Sequence, residues 1–220
     1  MKDTGSYTPV GMGVPASTAS HMMGQYIVPN FEARCTLVCT NKTANAPYRG
    51  AGKPEGAFVM ERVIDLVANE LGLDPVVVRQ RNMIPREQMP YNVGIPHRDG
   101  NIVVYDSGDF PGVMATAVDA IGLEAFRTAQ REARAQGRYL GLGLCCYVEE
   151  TGSGPHEGAI IRIDPSGGII AVTGSCSAGH GHETVFSQVV ADQWGVRPED
   201  VTVVTGDTGA IAYGFGTFAS

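Results

Sequence analysis

Phe31, Ala33, Cys35, Leu37 and Cys39 alternate with Glu32, Arg34, Thr36, Val38 and Thr40, which predicts a strand over 31–40 with one mostly apolar face. The thirty residues before it are rich in Gly, Pro, Ser and Met and lack periodicity, so little structure is expected there unless it packs on something. A loop over 41–52 follows. From Pro54-Glu55 onward, Phe58, Val59, Ile64, Leu66, Val67 and Leu71 recur near helical spacing, and Gly72 stands where a C-cap belongs. Asp74-Pro75 reads as N-cap and first position of a short helix ending near Ile84-Pro85. The stretch 85–101 is polar and proline-rich, and is the best boundary between two halves that share no single core. A helical region starts at 106–111, breaks at Gly122 and continues to Gln136. Beyond Arg138 the pattern turns to strands at 140–148, 159–163 and 169–173, the last two joined by a turn at 164–168. Residues 182–194 predict a helix with Val185, Phe186, Val189 and Val190 as its apolar stripe, and 201–204 a last short strand. The fold class is α/β, or α+β with mixed sheets.

Composition narrows the functions. Sixteen Lys and Arg against 23 Asp and Glu give a formal charge of -7, without the basic excess of a nucleic-acid binder. With 43% hydrophobic and 18% charged residues the chain can bury a core. No run approaches the roughly 18 apolar residues of a membrane span, and the first residues lack an apolar signal-peptide core. Five cysteines, with no CxxC pair, fit a reducing, cytoplasmic setting better than a zinc site or disulfide framework. Glycine is the outlier: 29 of 220, about 13% against a usual share of about 7%. Such enrichment suggests loops where backbone approaches a ligand.

Three glycine loops carry the candidate chemistry. In PYRGAGKPEG, 47–56, small residues flank Arg49, which either presents its planar donor fork to an anionic or carbonyl-bearing ligand or is simply solvated. The second loop, GSCSAGHGHET at 174–184, leaves a strand and enters a helix. Small residues free its backbone N–H groups, the helix end adds partial positive charge, and an anionic group is the natural ligand. It is neither a P-loop nor GxGxxG, so ATP and NAD fit poorly. His180 and His182 lack a third nearby ligand and suit capping better than metal binding. The third loop, 206–220, interleaves glycines with aromatics, as a ligand-hugging loop or a flexible tail. A lesser glycine stretch, 149–158, holds three carboxylates and reads as a hairpin loop.

Five motifs in order, PYRGAGKPEG, ERVIDLVANELGLDPVVVRQRNMI, GLGLCCYVEETGSGPHEGA, AGHGHETVFSQVVADQWGVRPEDVTVVTGDT and YGFGTFAS, resemble the large, molybdenum-cofactor-binding subunit of the xanthine dehydrogenase/aldehyde oxidase/carbon monoxide dehydrogenase family. The resemblance covers nearly the whole chain. It implies that 1–95 is the C-terminal part of a first molybdopterin-binding domain, 96–109 a connector, and 110–220 the N-terminal part of a second.

By the same resemblance, Arg49 orients substrate and supports charge developing in the transition state, beside Gly50 and Ala51. Gly179, His180, Gly181, His182, Glu183 and Thr184 match the family's GQGHET loop on the pyranopterin, with His180 in place of the usual glutamine. Gly214, Phe215, Gly216, Thr217, Phe218, Ala219 and Ser220 match a further loop whose amides approach the metal's oxygen ligands. The copper-containing carbon monoxide enzymes carry a cysteine after the arginine, where this chain has Gly50, so copper of that type is not expected. The implied cofactor is a molybdenum pyranopterin, as molybdopterin or its cytosine dinucleotide form, held through its dithiolene without a protein ligand to the metal. The implied reaction hydroxylates an aldehyde or N-heterocycle with water as oxygen source. Electrons leave through iron–sulfur clusters to FAD on partner chains or domains, and the full enzyme is expected to be oligomeric. The family's catalytic glutamate belongs to a later motif that Glu149, Glu150, Glu157 and Glu183 do not match, so the chain reads as an internal slice, inactive alone. The alternatives are a non-catalytic cofactor-binding or assembly module of the same fold, and an unrelated phosphate-binding α/β domain.

Overall fold

The structure, a computed structural model, describes residues 2–7, 13–97, 100–150 and 156–217. Helices and small sheets alternate along it, and the packing divides into one unit up to Glu149 and a second from Glu150 onward.

In the first unit, β1 (Lys2–Gly5) pairs in parallel with β2 (Leu37–Cys39). The strand expected over 31–40 therefore shrinks to three residues, because β1 offers only a short ladder and residues 32–37 lie exposed. Asp3 ties the pair together, accepting from Gly5 N–H at 2.9 Å and from the Thr40 hydroxyl at 2.9 Å. The supposedly weak N-terminal stretch also holds α1 (Gly13–His21), whose buried side includes Ser17, Ser20 and His21. Its polar groups are satisfied internally: Ser20 Oγ donates to the Ser17 carbonyl at 3.1 Å, and His21 Nδ1 lies 2.9 Å from that carbonyl. No apolar period announces such a helix.

The next helices follow the sequence closely. The helix α2 (Lys53–Glu70) ends at Leu71, and Gly72 takes the left-handed conformation at φ 63°. The Asp74 carboxylate caps α3 (Pro75–Asn82) by accepting from Val76 N–H at 2.7 Å. Then the 85–101 connector departs from expectation, since β3 (Tyr91–Pro96) and β4 (Ile102–Tyr105) form an antiparallel hairpin there. Val93 and Tyr105 bury its inner face with Met23 and Ile84, and Tyr105 Oη donates to the Gly24 carbonyl at 2.7 Å. Gly122 at φ 64° separates α4 (Phe110–Ile121) from α5 (Leu123–Ala135), as expected.

The helix α4 joins the first unit: Met114 is buried with Tyr26, Ile64, Ala68, Val76 and Met83. The packing thus parts after Glu149, not at the connector, and the two halves expected on either side of 85–101 do share a core. Residues 141–148 alternate exposed with half-buried as a strand would, yet they form no ladder. Leu144, Cys146 and Val148 instead lay their apolar sides on the two cores.

The second unit is a three-stranded sheet, ordered β5-β6-β7, with a crossover helix. The strand β5 (Ala159–Ile163) runs antiparallel to β6 (Ile169–Thr173), and β7 (Val201–Thr205) runs parallel to β6. Between β6 and β7 the chain passes through α6 (His182–Trp194). Ile169, Ala171, Ala191 and Val201 make the core. Val185 and Val189, expected in the buried stripe of α6, are exposed, and Ala191 is the helix's buried residue. The strand β5 forms one margin of the sheet, with all five residues exposed.

Candidate functional site

Arg49 sits in a loop that turns through three successive left-handed residues, Gly50 (φ 86°), Ala51 (φ 45°) and Gly52 (φ 100°), before α2 begins. Ala51 N–H donates to the Tyr48 carbonyl at 2.7 Å and Lys53 N–H to the Gly50 carbonyl at 3.0 Å, which closes the turn. Glycine is required at two points. A Cβ on Gly52 would meet α1 at Thr18 Oγ1, 2.8 Å away, and one on Gly50 would lie 2.6 Å from the Pro54 ring. A side chain at position 50 would therefore press on the Pro54 ring in this backbone. The Arg49 side chain is exposed and lines a cleft of about 530 Å³ with Lys53, Phe58, Tyr147 and Glu149. Lys53 Nζ is buried there and bonds Glu149 Oε1 at 3.0 Å. The cleft thus combines an exposed guanidinium with an aromatic rim.

In the second unit, the chain leaving β6 and the chain leaving β7 come together. Gly174 and Gly214 touch backbone to backbone: a Cβ on Gly214 would stand 2.6 Å from Gly174 Cα, and one on Gly174 2.6 Å from the Tyr213 carbonyl oxygen. Beside them Ser175 Oγ and Thr217 Oγ1 share a hydrogen bond of 2.8 Å. Gly179 (φ 99°) and Gly181 (φ 74°) turn the loop into α6, whose N-cap Gly181 offers no side chain to the first amides. Those amides and the helix end provide partial positive charge. His182 Nδ1 lies 3.1 Å from the Ser175 carbonyl, and since a carbonyl only accepts, that nitrogen carries the proton. His180 Nδ1 accepts from Ala178 N–H at 3.1 Å, and the two imidazoles stack with centroids 5.1 Å apart. Both rings thus shape the loop. Glu183 and Thr184 stand exposed in the first turn of α6.

Glu157 is the residue that sequence reasoning missed. Its Oε1 accepts from both Phe215 N–H and Gly216 N–H, each at 2.8 Å. Its neighbour His156 stacks on Tyr213 with centroids 4.6 Å apart. The available signal was a carboxylate inside a glycine-rich stretch; its partners lie 58 residues downstream, beyond any local pattern. Gly179 through Thr184 and Gly214 through Thr217 thus belong to one loop cluster, while Arg49, Gly50 and Ala51 belong to the other unit. Phe218, Ala219 and Ser220 lie outside the described residues.

Two family models, each described as a molybdopterin cofactor-binding domain, match residues 1–83 and 116–220. The chain belongs to the molybdopterin-binding large subunits of the molybdenum hydroxylases. Among relatives in this family, the gamma subunit of the 6-hydroxypseudooxynicotine dehydrogenase complex of Paenarthrobacter nicotinovorans is 34% identical over 205 residues, covering 92% of this chain and 25% of that protein. The carbon monoxide dehydrogenase large chain of Hydrogenophaga pseudoflava is 31% identical over 222 residues, covering 94% of this chain and 27% of its own length. Quinoline 2-oxidoreductase from Pseudomonas putida 86 superposes with a TM-score of 0.86 at 35% identity, over 99% of this chain and 29% of that one. The chain spans about a quarter of the length of these molybdenum hydroxylase relatives. Among the described residues, no helix is long and apolar enough to cross a membrane.

Proposed function

We propose that this chain supplies cofactor loops and a substrate-orienting arginine to a molybdopterin-dependent oxidoreductase that hydroxylates an aldehyde or N-heterocycle with water as oxygen source. The observation that carries the reading is the meeting of Gly174 with Gly214, which sets two glycine loops side by side. The fit to a cofactor rich in oxyanions rests on two features. A carboxylate oxygen already occupies a nest of two N–H groups at 215–216, and the first amides of α6 have no side-chain cap.

Gly179, His180, Gly181, His182, Glu183 and Thr184 would hold the molybdenum pyranopterin. Gly214, Phe215, Gly216 and Thr217 would hold it as well, and Phe218, Ala219 and Ser220 belong to the same sequence motif. Bound there, the cofactor supplies the two-electron oxidation that no side chain provides. Glu183 contributes through its amide, because its carboxylate already favours the positive helix end. Arg49, flanked by Gly50 and Ala51, orients the substrate and opposes negative charge developing on it. Iron–sulfur clusters and FAD on partner chains or domains carry the electrons away, the enzyme is oligomeric, and the free thiols suit the cytoplasm. Residues 1–95 and 110–220 are the contributions to the two molybdopterin-binding domains.

The test uses the full-length protein from a molybdate-replete host. Metal and pterin analysis should find both, and Arg49→Ala should lower kcat about 10²–10³-fold with molybdenum content unchanged. Protein without either component overturns the reading. Loss of cofactor in the variant would make Arg49 a binding residue instead.

A further inference from the structure

Residues 156–158 run along the loop at 213–216 and touch it at each step. The His156 ring stacks on Tyr213 at 4.6 Å with 25° between the planes. Glu157 Oε1 collects the N–H groups of Phe215 and Gly216. Gly158 lies so close to the Tyr213 carbonyl that a Cβ would stand 3.3 Å from it. One oxygen taking two successive amides dictates the backbone turn between them, because both N–H vectors must converge on a single point.

We infer that Glu157 is a positioning residue: with its two neighbours it splints the 213–217 loop, so that the Thr217 amide is held ready for an oxyanion of the cofactor. The inference rests on the cofactor reading above. The two flanking contacts decide between a splint and a placeholder, since a carboxylate waiting to be displaced has no use for a ring stack on one side and a close backbone approach on the other. The charge is secondary to the acceptor geometry, because amides ask only for a lone pair.

Glu157→Ala and Glu157→Gln in the full-length protein test this, with hydrogen exchange at Phe215 and Gly216 and the molybdenum-to-protein ratio as readouts. Glu157→Ala should speed exchange of those two amides at least about fivefold, leave β6 amides unchanged, and lower molybdenum content. Glu157→Gln keeps an acceptor oxygen and should restore both. His156→Ala, which leaves the carboxylate in place, should also quicken the same amides. Exchange and metal content unchanged in Glu157→Ala would overturn the inference. So would a Gln variant as impaired as Ala, or a rise in molybdenum in Glu157→Ala, the mark of a competing carboxylate. If the parent protein holds no molybdenum, the cofactor reading fails, while the exchange rates still decide the splint.

Discussion

Arg79 has no solvent exposure, and its guanidinium is matched on several sides. Nε donates to Glu61 Oε2 at 2.8 Å, Nη1 to the Pro75 carbonyl at 3.2 Å, and Nη2 pairs with Asp65 Oδ1 at 2.9 Å. Burial opposes the charge, but the hydrogen bond and charge of Glu61 outweigh it and hold the pKa above its ordinary value. Tyr26 completes the network by donating to Glu61 Oε1 at 2.6 Å, and burial, with that bond, pushes its phenol well up. Arg79→Ala would strand the Glu61 carboxylate, so unfolding in denaturant should show a loss of about 3–5 kcal/mol. Tyr26→Phe removes one bond to the same carboxylate and should cost less, about 1.5–3 kcal/mol. In the second unit, Gly174→Ala would force a methyl against Gly214. Its expected cost is about 1–3 kcal/mol, together with a lower molybdenum content in the full-length protein; an unchanged melting temperature would count against the close approach.

Among the elements, the β1–β2 pair is the acid-sensitive one. Gly5 N–H foremost, then the Thr40 hydroxyl, lowers the Asp3 pKa below the usual carboxylate value. A lowered folded pKa contributes stability that is fully present above the unfolded value near 3.8 and is lost as pH falls through the folded one. The protection of the Gly5 amide against exchange should therefore fall below about pH 4, and Asp3→Asn should remove that pH dependence. Legibility followed the same local logic. The helices α2 to α5 could be read because their signals are local: apolar spacing, the Asp74 cap, Gly72 and Gly122. The helix α1 could not, since its buried face is made of Ser17, Ser20 and His21, and the β3–β4 hairpin hid behind prolines and polar residues. Residues 140–148 gave a true alternation whose partner was packing and not a ladder. The Arg49 and 179–184 loops stood out by their glycines, whereas Glu157 depends on a contact that only the fold creates.

For the molecule as a whole, the division after Glu149 sets where a protease should enter. Limited digestion should cut at the division by Glu149–Glu150 before it cuts within 96–109, because the β3–β4 hairpin and Tyr105 in the core secure that connector. First cleavage within 96–109 would count against that packing. The exposed margin at β5 has a different consequence, one that concerns crowds of chains. Ile160, Ile161 and Ile163 lie on a strand whose outer edge has no neighbouring strand among the described residues. Such a margin is a template for strand addition between copies. Concentrated protein of this length should form strand-rich precipitates seen as rising light scattering. Ile163→Lys, at a position 55% exposed, should delay their onset without altering the melting temperature, by placing like charges where two sheets would otherwise zip together.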